Sequence, residues 1–181
     1  GRGRAIDAGR EGSEAGQWPC PIPVNVATED LFTGDFGASL GARIEAAGSD
    51  PALLRLEVPE AGVLADLDRA TERLEELRAL GVSLALDDFG TGYSALSYLH
   101  SINADIIKLD RSLISEVPGS PQAEKLVGSL TRLLQELGYR VVAEGVETDA
   151  QRHWLRGVGV EYGQGYLWTR PMWGDETREW F

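Results

Sequence analysis

A single cysteine, Cys20, is all the thiol chemistry in the sequence. It excludes an intramolecular disulfide and a Cys-rich zinc module. Nowhere do about 18 apolar residues run together, the length a membrane-spanning helix needs. The opening residues, GRGRAIDAGREGSEAGQ, hold no apolar signal-peptide core. Positive charge is scarce: 17 Lys plus Arg face 29 Asp plus Glu, a formal net charge of -12. Such a surface repels phosphate backbones and excludes a DNA- or RNA-coating role. An anionic substrate would need bound cations or a local lysine to offset that field. What remains is ordinary, with 43% hydrophobic and 25% charged residues among 181. That suffices for one domain with its own core, or for part of a larger one. The expectation is a soluble, cytoplasmic chain with no membrane partner.

Residues 1–20 read as a flexible tail of Gly, Arg, Glu and Ser without periodicity, and residues 21–181 as the folded part. Apolar runs predict six strands near residues 22–26, 53–58, 82–87, 105–109, 140–144 and 160–168. Between them lie helical patterns. Phe36, Leu40 and Ile44 mark the first. Val63–Leu80 carries Leu67, Ala70, Leu74 and Leu77 on one face, with Gly81 closing it. Ser94–His100 reads as a short helix, and Ala123–Leu137 places Leu126, Leu130, Leu133 and Leu137 on one face. Thr148 caps a helix running to Arg156. Trp154, Trp168, Trp173 and Trp180 are first read as core packing, second as an interface patch. Strands alternating with helices predict an α/β protein built from βαβ units around a parallel sheet.

The polar residues fall at the strand ends. Asn25 follows the first apolar run, Glu57 and Glu60 the second, and Asp87 and Asp88 the third. Lys108 and Asp110, then Glu144 and Glu147, then Gln164 continue the series. In a (β/α) barrel such ends converge on one rim, where active sites lie. Crowded carboxylates repel and call for bound divalent cations. Oxygen donors from Asp, Glu and Asn suit Mg²⁺, Mn²⁺ or Ca²⁺. A loop with two glycines, Phe89-Gly90-Thr91-Gly92-Tyr93-Ser94, follows the double acid and can bring backbone close to a ligand.

These segments carry a resemblance. DDFGTGYSALSYL, IIKLDRS, VVAEGVETDAQ and QGYLWTRP resemble successive motifs of the EAL-domain family, bacterial cyclic-di-GMP phosphodiesterases. VNVA and LRLEVPE resemble its earlier Asn-bearing and double-Glu strands, so the likeness spans about Pro21 to Pro171. It implies a TIM-like (β/α) barrel and Mg²⁺- or Mn²⁺-dependent hydrolysis of cyclic-di-GMP to linear pGpG. It also implies that Asn25, Glu57 and Asp87 ligate a first metal, with Asp87 bridging to a second helped by Asp88 and Glu144. Glu144 would position or deprotonate the attacking water, and Lys108 would hold that water or the phosphate. Glu60 resembles the acid anchoring the loop after Asp88, a feature linked to homodimers; Pro59 stands where the family usually has Thr. Glu147 and Gln164 resemble supporting or ligand-contacting groups.

No Glu-Ala-Leu tripeptide occurs in the sequence. The family carries it on a strand ahead of the Asn-bearing one. The resemblance therefore implies an incomplete barrel of about six strands, its open side covered by the N-terminal tail or a second protomer, or else a fragment, poorly stable alone, that lacks its EAL portion. It also implies a weakened first metal site and hydrolysis near background. Any residual rate should depend on Glu144 and rise with Mn²⁺. The competing expectation is an inactive module that binds cyclic-di-GMP or a protein partner.

Overall fold

Branched apolar runs become strands in the computed structural model, which describes residues 21–91 and 96–170. The strands are β1 Ile22–Asn25, β2 Leu54–Pro59, β3 Ser83–Phe89, β4 Ile106–Leu109, β5 Arg140–Ala143 and β6 Tyr162–Gly163. Their order in the sheet is their order in the chain. Parallel neighbours need a long return connection, and helices provide it. These are α1 Thr28–Leu31, α2 Phe36–Ala47, α3 Glu60–Ala65, α4 Leu67–Arg78, α5 Arg111–Ile114, α6 Pro121–Glu136 and α7 Asp149–Gly157. The α/β reading with six parallel strands and helices between them is borne out. Among the described residues no helix is long and apolar enough to cross a membrane.

The chain forms two compact units. The first holds β1, β2, the start of β3 and α1 to α4, together with residues 101–103. Its core includes Leu54, Leu56 and Val58, each about fully buried. β1 pairs with β2 in parallel, Asn25 opposite Glu57. Pro23, which has no N–H to give a ladder, sits in this edge strand, where a missing donor is tolerated. Phe36, Leu40 and Ile44 are the buried residues of α2, as their spacing predicts.

One expectation fails here. The single helix predicted over Val63–Leu80 is two, α3 and α4, broken at Asp66, where φ is -154° and ψ is 86°. The Asp66 carboxylate accepts the Arg69 N–H at 3.3 Å and starts a new helix. A short acid competes with the helical ladder by capping the next helix. The helix also ends at Arg78, before Gly81, which serves the following turn at φ 88°.

The second unit holds the end of β3, β4 to β6 and α5 to α7. β4 is buried along its whole length, as expected of a strand flanked on both sides of the sheet. The face predicted for α6 is corrected. Val127, Thr131 and Leu134 are buried, whereas Leu126 is 55% and Leu137 47% exposed. The stripe is turned by one residue, about 100° on a helix. Leu130 and Leu133, half-buried, flank both possible stripes, so leucine spacing alone could not set the phase. Thr148 and Gln151 form a capping box at the start of α7, as Thr148 predicted.

The last strand is shorter than the predicted 160–168. Beyond Gly163 the chain turns, with Leu167 N–H donating to Val146 O at 3.0 Å and Trp168 N–H to Gly165 O at 3.2 Å. Gly165 lies against the Val146 backbone. A Cβ on it would sit 2.8 Å from the Val146 carbonyl carbon and closer still to its O and N. Backbone cannot swing aside, so Gly165→Ala should cost about 1–3 kcal/mol, the usual range for overpacking, read as a lower Tm in thermal melts. Neither tryptophan among the described residues is a core residue: Trp154 is half-buried and Trp168 is 40% exposed. Trp173, Trp180, Tyr93, Ser94 and residues 1–20 lie outside the described residues.

Candidate active site

Consecutive residues in a strand point to opposite faces, yet Asp87 and Asp88 serve one place. The reason is local: Asp88 has φ 56°, the left-handed region that Asp tolerates better than most residues. With the alternation broken, one carboxylate oxygen each from Asp87, Asp88 and Glu144 lie within 4.8 Å of one another. Glu144 arrives as the first residue past β5, its N–H donating to Leu109 O at 3.0 Å. Lys108, on β4 and 4% exposed, enters the same cluster. Its Nζ lies 2.8 Å from Asp87 Oδ1 and 2.7 Å from Glu144 Oε1.

The charges are unequal. One ammonium faces three carboxylates, and Asp110 stands nearby. Burial pushes the Asp88 carboxyl above its usual range; repulsion by Asp87 and Asp110 adds to this, and Lys108 opposes it. Burial alone would raise Asp110 too, but hydrogen bonds from Ser112 and Arg111 and the Arg111 charge outweigh it and hold Asp110 low. Asp110 is thereby the N-cap of α5, its Oδ1 accepting the Ser112 N–H at 2.8 Å. Clustered hard oxygens with excess negative charge are the donor set that Mg²⁺, Mn²⁺ and Ca²⁺ take. The residues fit a divalent cation.

A stability effect follows from Asp88. Between its unfolded pKa and its raised folded value, the folded state binds more protons, so ionisation costs stability as pH rises. Asp88→Asn keeps a side chain suited to φ 56° and removes the charge. The metal-free variant should melt at a higher temperature than the parent at pH 7. The gain should vanish near pH 3, where the parent's carboxyl is protonated.

The other predicted residues are placed as follows. Asn25 and Glu57 are register partners in the first unit; Glu57 is 7% exposed, and Glu60, 1% exposed, opens α3. Glu147 pairs with Arg111 at 2.9 Å. Gln164 is exposed; its N–H donates to Ala143 O at 2.8 Å and its O accepts from Val146 N–H at 3.0 Å, extending the β5–β6 pairing. Arg111 was not singled out by sequence. Its only sequence signal is its place directly after the α5 cap.

Comparison with known proteins gives the family. The EAL domain family matches residues 6–171. The chain is 39% identical over 158 residues to the cyclic di-GMP phosphodiesterase NbdA of Pseudomonas aeruginosa, covering 87% of this chain and 20% of that protein. It therefore spans only about a fifth of that relative's length. The structure of the phosphodiesterase PaMucR in complex with c-di-GMP superposes with a TM-score of 0.91 at 33% identity, over 97% of this chain and 71% of that one. The manganese/cy-diGMP complex of Klebsiella pneumoniae BlrP1 gives a TM-score of 0.83 at 34% identity, over 93% and 43%. With the family matched over residues 6–171 and the fold shared with the PaMucR phosphodiesterase, this chain belongs to the EAL domain family.

Proposed function

We propose that the chain supplies the divalent-cation site of a cyclic-di-GMP phosphodiesterase and cleaves the dinucleotide to linear pGpG with Mg²⁺ or Mn²⁺. One observation carries the reading: Asp87, Asp88 and Glu144 gather their oxygens within 4.8 Å around a buried lysine. Asp87, Asp88 and Glu144 would hold the cation. A bound divalent cation polarises a phosphoryl oxygen and lowers the pKa of bound water.

The chain's own residues do the rest. A Glu144 carboxylate oxygen orients the attacking water and accepts its proton. Lys108, held between Asp87 and Glu144 at 2.8 and 2.7 Å, presents positive charge where the phosphodiester gains negative charge. It also offsets part of the field that an anionic dinucleotide meets on a chain of net charge -12. Glu147 and Gln164 are proposed to support the ligand. The site of action is proposed to be the cytoplasm, with a second copy of the chain as a candidate partner.

The test is incubation of the chain with cyclic-di-GMP, with product followed by chromatography. A slow appearance of pGpG that needs Mn²⁺ or Mg²⁺ and stops with EDTA is expected. Tight binding without cation-dependent product would make the chain a receptor instead.

A further inference from the structure

Glu144 stands at the head of a four-residue turn, Glu144-Gly145-Val146-Glu147, between β5 and α7. Three of its amides are tied down by neighbouring elements. Glu144 N–H donates to Leu109 O at 3.0 Å, Val146 N–H to Gln164 O at 3.0 Å, and Glu147 N–H to Gln151 Oε1 at 2.8 Å. Gly145 is secured differently. It adopts φ 65°, and the space its Cβ would fill is taken by the stem of Arg111: such a Cβ would lie 2.6 Å from Arg111 Cβ, closer to Cγ and 2.9 Å from Cδ. Beyond the stem, the Arg111 guanidinium reaches Glu147 Oε1 at 2.9 Å. A single side chain thus covers the middle of the turn and holds its far end.

We infer that Arg111 is a positioning residue for Glu144, acting through its aliphatic stem packed on Gly145. This rests on the cation-site reading of Glu144. The ion pair itself is a poor candidate for the effect, since its side chains are 61% and 40% exposed and such pairs contribute little. The stem is the stronger element, because long cationic side chains pack through their methylenes. Rotation about the Gly145 backbone, which glycine permits more freely than any other residue, is what the stem prevents. Residues that orient a metal ligand from outside the ligand set commonly change cation affinity by about 10–100-fold.

The experiment compares the full chain with Arg111→Ala and Arg111→Met. Arg111→Ala should speed amide hydrogen exchange at Gly145 and Val146. It should also weaken Mn²⁺ binding about 10-fold in calorimetry while Tm stays nearly unchanged. Arg111→Met keeps the stem and should restore both. Wild-type exchange and affinity in Arg111→Ala would overturn the inference, as would Arg111→Met behaving like Arg111→Ala. A parent chain that binds no Mn²⁺ would sink the cation-site reading, while the exchange comparison would still decide for or against the clamp.

Discussion

Glu144→Gln should abolish the cation-dependent formation of pGpG proposed for the chain. The substitution keeps the size and one oxygen of the side chain but removes its charge and its ability to accept a proton. Loss of one well-placed electrostatic group costs about 10²–10³ in rate in other enzymes. General-base assistance contributes about 10²–10⁴ on its own. The slow rate proposed for the parent lies inside that margin, so the variant should fall to the level of a protein-free control. The fold should survive. Glu144 is half-buried, its backbone N–H bond to Leu109 does not involve the carboxylate, and the buried Lys108 ammonium keeps Asp87 at 2.8 Å as its counter-ion. Circular dichroism and Tm close to the parent's would show that the loss is chemical. A variant that keeps the parent rate would remove Glu144 from the reaction.

Lys108→Met should damage both stability and turnover, and in separable ways. Methionine replaces the stem but takes the ammonium away from Asp87 and Glu144, whose side chains are only 16% and 18% exposed. Removing one partner of a buried pair costs about 3–5 kcal/mol because the remaining charge lacks its counter-ion. Some water reaches these carboxylates, so the lower end applies. At about 2–4 °C per kcal/mol for a chain of this size, Tm without metal falls by roughly 6–12 °C. Added Mn²⁺ supplies positive charge to the same oxygens, so the cation-induced rise in Tm should be larger in the variant than in the parent. Turnover should not return with it, because the lysine no longer faces the phosphate. A variant whose Tm ignores Mn²⁺ would contradict the charge balance proposed for the cluster.

The parts of this site that could be read in the sequence are those fixed by strand position. Asp87, Lys108 and Glu144 each end an apolar run, and parallel strands with helical returns bring such ends together. The order of the motifs along the chain carries the resemblance to the family. Other features depend on backbone geometry that residue type does not reveal. Asp66 looks like a polar position within a helix but breaks it by capping the next one. The α6 leucines define a stripe one residue away from the buried one. Gly165, two residues past the end of β6, lies against the backbone of Val146, a residue remote from it in sequence. The same holds for Arg111 and Gly145, whose contact links two different strand–helix connections. Spacing predicts which residues share a face; it does not predict which glycine a distant stem will cover.

Asp87, Asp88 and Glu144 are proposed to hold a divalent cation, and Mn²⁺ binding tests this most directly. Free Mn²⁺ can be counted by its paramagnetic resonance signal while the chain is titrated, beside a variant carrying Asp87→Asn and Asp88→Asn together. The account predicts that the parent removes Mn²⁺ from solution in a saturable way and that the double variant does not. Equal uptake by both proteins, or none by the parent, would contradict it.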